Sequence, residues 1–393
     1  MTLESAAPPP FLPRARAARR AYGLDEIALV PGAATVDPED VDLSWQVGPL
    51  RFALPFLAAA MDSVTDVRTA VLLGRLGAAG VLNLEGVQTR YADPAAALEA
   101  IAAAPPDEVV ARLRAIYQPP VREELVCARV AAIKAGGVPC IVSVTPARAA
   151  HLAPLAQQAG ADAILVQSTV SSDRHRSRRG EVTSLRALVE RLEVPVMIGN
   201  CATAEGAADL LEAGAAAVFV GVGPGAACTS RRVLGVGVPQ ATAIAEAASA
   251  RDAYFRRTGR YVPIVADGGI GVGGEVAKAI ACGADAVMLG SALARAVEAP
   301  GRGYHWGMAT PHPALPRGTR VRVGTAGTVE QILLGPALVD DGSQNLAGAL
   351  RLAMGLCGAA DLRAMHQVEI ILAPALATEG KRLQFTQGVG QGR

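Results

Sequence analysis

Gly160-Ala161-Asp162-Ala163-Ile164-Leu165-Val166 ends an alanine-rich helical stretch and opens a short apolar run. The chain writes nearly the same words twice more, as Gly214-Ala-Ala-Ala-Val-Phe-Val220 and Gly283-Ala-Asp-Ala-Val-Met-Leu289. Each copy follows a helix-length segment such as Glu205–Glu212. Between them lie apolar runs with a second shared opening, Val138-Pro139, Val194-Pro195 and Val262-Pro263. Continuous apolar runs alternating with helical segments predict parallel strands buried on both faces. Working outward, eight strands are expected: Pro55–Ala60, Ala79–Leu84, Pro139–Val144, Ala161–Val166, Pro195–Ile198, Ala215–Val220, Pro263–Ala266 and Asp285–Leu289. Eight such units favour a closed (β/α)8 TIM barrel over an open doubly wound sheet.

Composition agrees with one large core. The chain has 393 residues, 51% apolar and 19% charged, with a net charge of +1 from 37 basic and 36 acidic side chains. That balance gives no footprint for a nucleic-acid or membrane partner, and no apolar run is long enough to span a bilayer. The barrel is expected over residues 22–373. Residues 1–21, with Pro8-Pro-Pro10 and an arginine cluster but no apolar stretch, read as a mobile extension rather than a secretory signal. Residues 374–393 read as a C-terminal tail, ending Gly- and Gln-rich. Six scattered cysteines without a Cys-x-x-Cys pair fit a reducing, cytoplasmic setting and speak against structural zinc.

Reactive and small residues gather where the strands end: Met61-Asp62-Ser63, Asn83-Leu84-Glu85, Ser143-Val144-Thr145, Gln167-Ser168-Thr169, Gly199-Asn200, Asp267-Gly268-Gly269 and Gly290-Ser291. Barrel enzymes build their sites on that face. After the sixth strand comes Gly221-Val-Gly-Pro-Gly-Ala-Ala-Cys-Thr-Ser230. The next helix is expected only near Val238-Pro239, so Cys228 sits in an open glycine loop, as a nucleophile should. Cys201, at the end of the fifth strand, is its one rival. The carbonyls of Gly221 to Gly225 could also wrap a monovalent cation, or the segment could be a plain turn; the residues leave both open. Glycines after the seventh and eighth strands let backbone N–H groups approach a phosphate. Asp267 would repel that anion and suits a pair of sugar hydroxyls, so a phosphosugar ligand is expected.

These pieces resemble the IMP dehydrogenase/GMP reductase family. The likeness runs from Gly23-Leu-Asp-Glu-Ile-Ala-Leu-Val-Pro31 through Ala58-Ala-Ala-Met-Asp-Ser-Val-Thr65, the Cys228 loop, Val238-Pro-Gln-Ala-Thr242, Ala266-Asp-Gly-Gly-Ile270 and Ala284–Leu293. It is strongest to the short branch without paired CBS domains, through Tyr304-His-Trp-Gly-Met-Ala-Thr-Pro311 and Leu315-Pro-Arg-Gly-Thr-Arg320. Between Asn83 and Val138 only a helical hairpin, including Ala95–Ala104 and Asp107–Tyr117, stands where that insert would be.

The resemblance implies a purine-nucleotide oxidoreductase of guanine nucleotide biosynthesis. Cys228 would attack C2 of IMP, hydride would pass to NAD, and water would release XMP. Asp267 would bind the ribose. Gly269, Gly290 and Ser291 would bind the phosphate, with Gly225 and Gly268 in the same site. Met61 would lie against the nucleotide, and Gly307 and Met308 would meet the base edge. Ser230 takes a threonine position near C2. Asn200 would lie beside the ribose and the hydride path, Gln167, Ser168, Thr169 and Asn200 would face the dinucleotide, and the carbonyls of Gly223, Gly225 and Cys228 would match a potassium loop. A homotetramer or octamer is implied, with an active-site flap near 303–325.

Departures from the family are also legible. Gln167 replaces an aspartate and Ala226 a serine. The flap's water-activating Arg-Tyr pair has no match; Arg317 or Arg320 is what the flap offers. A GMP reductase would carry a glutamate where Thr310 stands, so the residues favour the dehydrogenase. A nucleotide-binding regulator without turnover is the third reading, and Cys228 argues against it.

Overall fold

The computed structural model describes residues 18–176, 184–307, 320–373 and 381–390. Among them, eight parallel strands close into a barrel: β1 (Phe56–Ala58), β2 (Ala79–Asn83), β3 (Ile141–Val144), β4 (Ala163–Gln167), β5 (Val196–Cys201), β6 (Ala217–Val220), β7 (Ile264–Asp267) and β8 (Ala286–Leu289). Closure is the β8–β1 pairing, Val287 opposite Phe56 through Leu289 opposite Ala58. All eight expected strands form, most starting one or two residues late because the Pro or Gly-Ala opening is spent on the turn.

The repeated words have a physical content. Gly160, Gly214 and Gly283 take φ of +102°, +96° and +110°, a region only glycine enters freely. Each ends its helix in a Schellman motif. The glycine N–H groups donate to the Gln157, Leu211 and Ile280 carbonyls, and the following N–H groups to Ala156, Leu210 and Ala279. A fourth copy appears at Gly77-Ala78, with the same pair of bonds to Gly74 and Leu73. The aspartates of two copies fasten the strand before them. Asp162 accepts the Cys140 N–H at 2.7 Å, and Asp285 accepts the Ile264 N–H at 2.8 Å. Asp285 also takes the Tyr261 hydroxyl and the buried Arg251 guanidinium.

The strands are buried along nearly their whole length. The last residues of β4 and β7, Gln167 and Asp267, are the polar positions that surface. Helices that follow the strands form the outer ring, the pair Gln240–Thr258 and Ala204–Glu212 packing most extensively. After β2 the chain makes three helices, Ala95–Ala103, Val109–Tyr117 and Glu123–Ala135, the first two matching the expected hairpin. They bury a satellite core of Leu98, Ile101, Val109, Leu113, Ile116 and Trp306.

Three-residue strands outside the barrel were not expected. Trp45–Val47 and Leu50–Phe52 form a hairpin ahead of β1, with the Trp45 and Phe52 rings stacked at 5.2 Å. Ile27–Leu29 pairs antiparallel with Ile370–Leu372, clasping the two ends of the barrel segment. Tyr304–Trp306 pairs antiparallel with Arg320–Arg322, at the two ends of the segment where a flap is expected. Part of the expected tail is ordered as a helix, Lys381–Gln387. No helix among the described residues is long and apolar enough to cross a membrane.

Candidate active site

The C-terminal ends of the strands surround a cavity of about 490 Å³. It brings together Met61, Gln167, Ser168, Thr169, Asn200, Gly223, Gly225, Cys228, Ser230, Asp267, Gly268, Gly269, Gly290, Ser291 and Gly307 from seven separate stretches of sequence. Met308, Thr310 and Arg317 lie outside the described residues.

Cys228 is exposed into this space. Its N–H donates to the Gly225 carbonyl at 3.0 Å, closing a tight turn, and its Sγ lies 3.4 Å from Ser230 Oγ. The loop is shorter than its glycine content suggests, because a five-residue helix, Ser230–Leu234, begins two residues after the thiol. The helix expected near Val238-Pro239 starts at Gln240. Its first side chain latches the mouth: Gln240 Nε2 donates to the Val220 carbonyl at 2.9 Å and the Asp267 carbonyl at 3.2 Å.

Close backbone approach explains three glycines. A Cβ on Gly221 would stand 2.0 Å from the Asp267 carbonyl oxygen. Gly268 and Gly269, at φ of +87° and +74°, pass under Pro224 and Gly225, where a Cβ would sit 3.1 Å and 3.0 Å away. The cysteine loop therefore rests on the Asp-Gly-Gly turn, and the two motifs form one surface.

The polar centre is Asp267. Its Oδ2 accepts Nε2–H of Gln167 at 2.8 Å and Nδ2–H of Asn200 at 2.7 Å. Gln167 also donates to Asn200 Oδ1 at 2.9 Å, and Asn200 donates to the Gly221 carbonyl at 2.8 Å. Both amides thus spend both protons inside this network, orienting Asp267 and tying it to the cysteine loop. Asp267 Oδ1 has no hydrogen-bond partner among the described residues. Burial raises the Asp267 carboxyl to about 6, against the two amide bonds, which pull it down. Cys201, the rival thiol, is buried at the end of β5, and burial pushes it up to about 12. A buried thiol held protonated is no nucleophile.

Gly290 caps the turn Ser291–Ala294. His305 lies against it, its Nε2 3.2 Å from where a Gly290 Cβ would stand, its Nδ1 3.1 Å from Ser63 Oγ. Burial drives His305 down to about 4, so the ring is neutral at pH 7. Ser168 shapes its own loop through the Val170 carbonyl and Ser171. Glu85 lines the mouth with its carboxylate held by the Thr145 N–H and hydroxyl. Trp306 is fully buried and packs in the satellite core, so it does not stack on a base. Arg320 is held by the Ile101 and Ala102 carbonyls and stacks on the Tyr304 ring at 4.3 Å. It braces the Tyr304–Trp306/Arg320–Arg322 pair instead of standing in the cavity or as a solvated loop charge.

Sequence reasoning missed one cluster at the mouth: Arg90 and Tyr117, which line it, and the buried Asp62 bonded to Tyr117. Arg90 and Tyr117 come from the helical excursion after β2, and nothing in their spacing ties them to Asp62. Among the described residues no group of histidine, cysteine or acidic side chains could hold a metal ion.

The profile of the IMP dehydrogenase / GMP reductase domain matches residues 21–380. An uncharacterized oxidoreductase of Mycolicibacterium smegmatis is 41% identical over 362 residues, covering 90% of this chain and 96% of its own. Inosine-5'-monophosphate dehydrogenase of Methanocaldococcus jannaschii is 29% identical over an alignment spanning 93% of this chain and 95% of its own. The crystal structure of an IMP dehydrogenase/GMP reductase-like protein from Corynebacterium glutamicum superposes with a TM-score of 0.86 at 37% identity, covering 91% of this chain and 95% of that one.

Proposed function

The chain belongs to the IMP dehydrogenase/GMP reductase family, and on that premise we propose that it is an NAD-dependent IMP dehydrogenase. The observation that carries the reading is the single cavity that places an exposed Cys228 beside Ser230 and faces both with the oriented carboxylate of Asp267. In this reading Asp267 Oδ1 receives the ribose hydroxyls. Backbone N–H groups of Gly269, Gly290 and Ser291 hold the phosphate, with Gly225 and Gly268 closing around it. Met61 packs on the nucleotide, while Gly307 and Met308 read the base edge. Fixing ribose and phosphate sets the purine C2 against the thiol, which is the positional advantage a bound nucleophile needs.

As its proton leaves for solvent in the open cavity, Cys228 Sγ bonds to C2, and the hydride on C2 departs. The dinucleotide, when bound, accepts that hydride; Ser168 and Thr169 line the cavity beside Asn200 and offer it a shelf. Water then adds to C2, the C2–S bond breaks, and Cys228 leaves as thiolate with XMP as product. Ser230, 3.4 Å from the sulfur, steadies the thiol proton. Carbonyls of Gly223, Gly225 and Cys228 would hold a monovalent cation and stiffen the loop, in which the Gly225 carbonyl also accepts the Cys228 N–H. Thr310, where a reductase has glutamate, favours oxidation over amine release. The family likeness supports a homotetramer or octamer acting in the cytoplasm.

Two absorbance assays test this: IMP with NAD, and GMP with NADPH. Reduced dinucleotide should form in the first, and Cys228→Ala should lower its rate more than about 10³-fold while IMP still shifts the melting temperature. Turnover in the second assay alone would reverse the direction. Thermal protection by IMP without turnover in either would make the chain a nucleotide-binding regulator.

A further inference from the structure

Asp62 follows β1 directly and is 1% exposed, yet the scheme above gives it nothing to do. Its Oδ2 accepts the Tyr117 hydroxyl at 2.7 Å and the Val87 N–H at 2.9 Å. Its Oδ1 is buried without a hydrogen-bond partner among the described residues. Trp306 Nε1–H donates to the Tyr117 oxygen at 3.0 Å, fixing the phenol from behind. Tyr117 and Arg90 line the cavity that holds Cys228. The Arg90 guanidinium stands 6.0 Å from the Tyr117 ring, tethered to the Glu85 and Pro119 carbonyls. A carboxylate so buried is costly unless its charge is used. Burial, opposed by Tyr117, the Val87 N–H and Arg90, raises Asp62 to about 6, and burial and Asp62 together hold the phenol in its protonated form. The pair therefore stores one proton on the phenol and has room for a second on the carboxylate near neutral pH.

We propose that Tyr117 and Asp62 are the proton relay for the hydrolytic half of the reaction. As water oxygen bonds to C2, its proton passes to the Tyr117 oxygen and the phenol proton passes to Asp62 Oδ2. The C2–S bond breaks with its electron pair on Cys228, and the proton later leaves Asp62 for solvent. Nothing is oxidised or reduced in this half, and Arg90 offsets negative charge as it develops on the phenol. The relay fits a flap whose Arg320 is committed to the Ile101 and Ala102 carbonyls. It rests on the dehydrogenase reading, in which a covalent purine adduct must be hydrolysed.

Rapid mixing of the full chain with IMP and NAD separates the two claims. In the unmodified protein a burst of reduced dinucleotide should precede the steady state. In Tyr117→Phe, and independently in Asp62→Asn, the burst should persist near one equivalent per Cys228. The steady-state rate should fall about 10²-fold or more, and intact mass spectrometry should find the Cys228–purine adduct accumulated. A steady state like that of the unmodified protein in both variants overturns the relay. So does loss of burst and steady state together, which would mark the cluster as structural. If the unmodified protein forms no reduced dinucleotide from IMP, the dehydrogenase reading itself fails, and the relay with it, before any variant is made.

Discussion

Asp267 works against the stability of the fold that holds it. Burial lifts its carboxyl from the ordinary 3.8 to about 6, so the folded chain binds that proton more tightly than the unfolded chain does. Stability from this group is therefore greatest in acid and declines as pH rises from 3.8 to about 6. Above that window the cost of a buried charge is carried in full. Asp267→Asn should remove the cost: thermal melts at pH 8 should show a higher melting temperature than the parent, with little difference at pH 4. An unchanged or lower value at pH 8 would refute this account. The same variant should bind IMP about 10- to 100-fold more weakly, the worth of hydrogen bonds to a charged acceptor. Gln167 and Asn200 could not have been assigned to Asp267 from sequence. Each ends or nearly ends its own strand, and only barrel closure brings β4, β5 and β7 close enough for their amides to meet one carboxylate.

At the scale of elements, the strands were legible and the loops only partly. Parallel strands buried on both faces have to be continuous apolar runs, and the helix-ending glycines mark where each begins. The hairpin at Trp45–Phe52 and the clasp at Ile27–Leu29 escaped notice because three residues carry no period. The helix at Ser230 was hidden because Arg231-Arg232 and the glycines around it read as loop. The cysteine loop and the Asp-Gly-Gly turn look separate in sequence and are stacked in space. Gly221→Ala tests how tight that stack is. Its methyl would need room now occupied by the Asp267 carbonyl, 2.0 Å away. The loop must shift, at about 1–3 kcal/mol in a denaturant melt. Because the thiol moves with it, kcat should fall about 10²-fold. A variant with normal kcat and stability would show the loop to be free of the turn.

At the scale of the molecule, the two ends of the barrel divide the labour. The cavity that holds Cys228 and Asp267 opens at the C-terminal mouth. The opposite end is fastened by Asp285, which ties the Ile264 N–H, Tyr261 and Arg251 together among buried side chains. Arg251→Met would strand that carboxylate and should cost about 3–5 kcal/mol by urea unfolding, while kcat per folded molecule stays at the parental value; a drop in kcat would show that the ends are coupled. Asp62 and Tyr117 show where sequence reading stops. They lie in different segments, one beside β1 and one in an excursion that looked like the remnant of a missing insert, and only folding joins them, through the Tyr117–Asp62 hydrogen bond backed by the Trp306 indole. The clasp between Ile27–Leu29 and Ile370–Leu372 has a consequence in time. Its second strand is translated after all eight barrel strands, so the nascent chain leaves the ribosome with its first strand edge unclaimed. That edge stays open to pairing with other strands until residues 370–372 have been made, so the clasp is the last strand pairing of the barrel segment to form during synthesis.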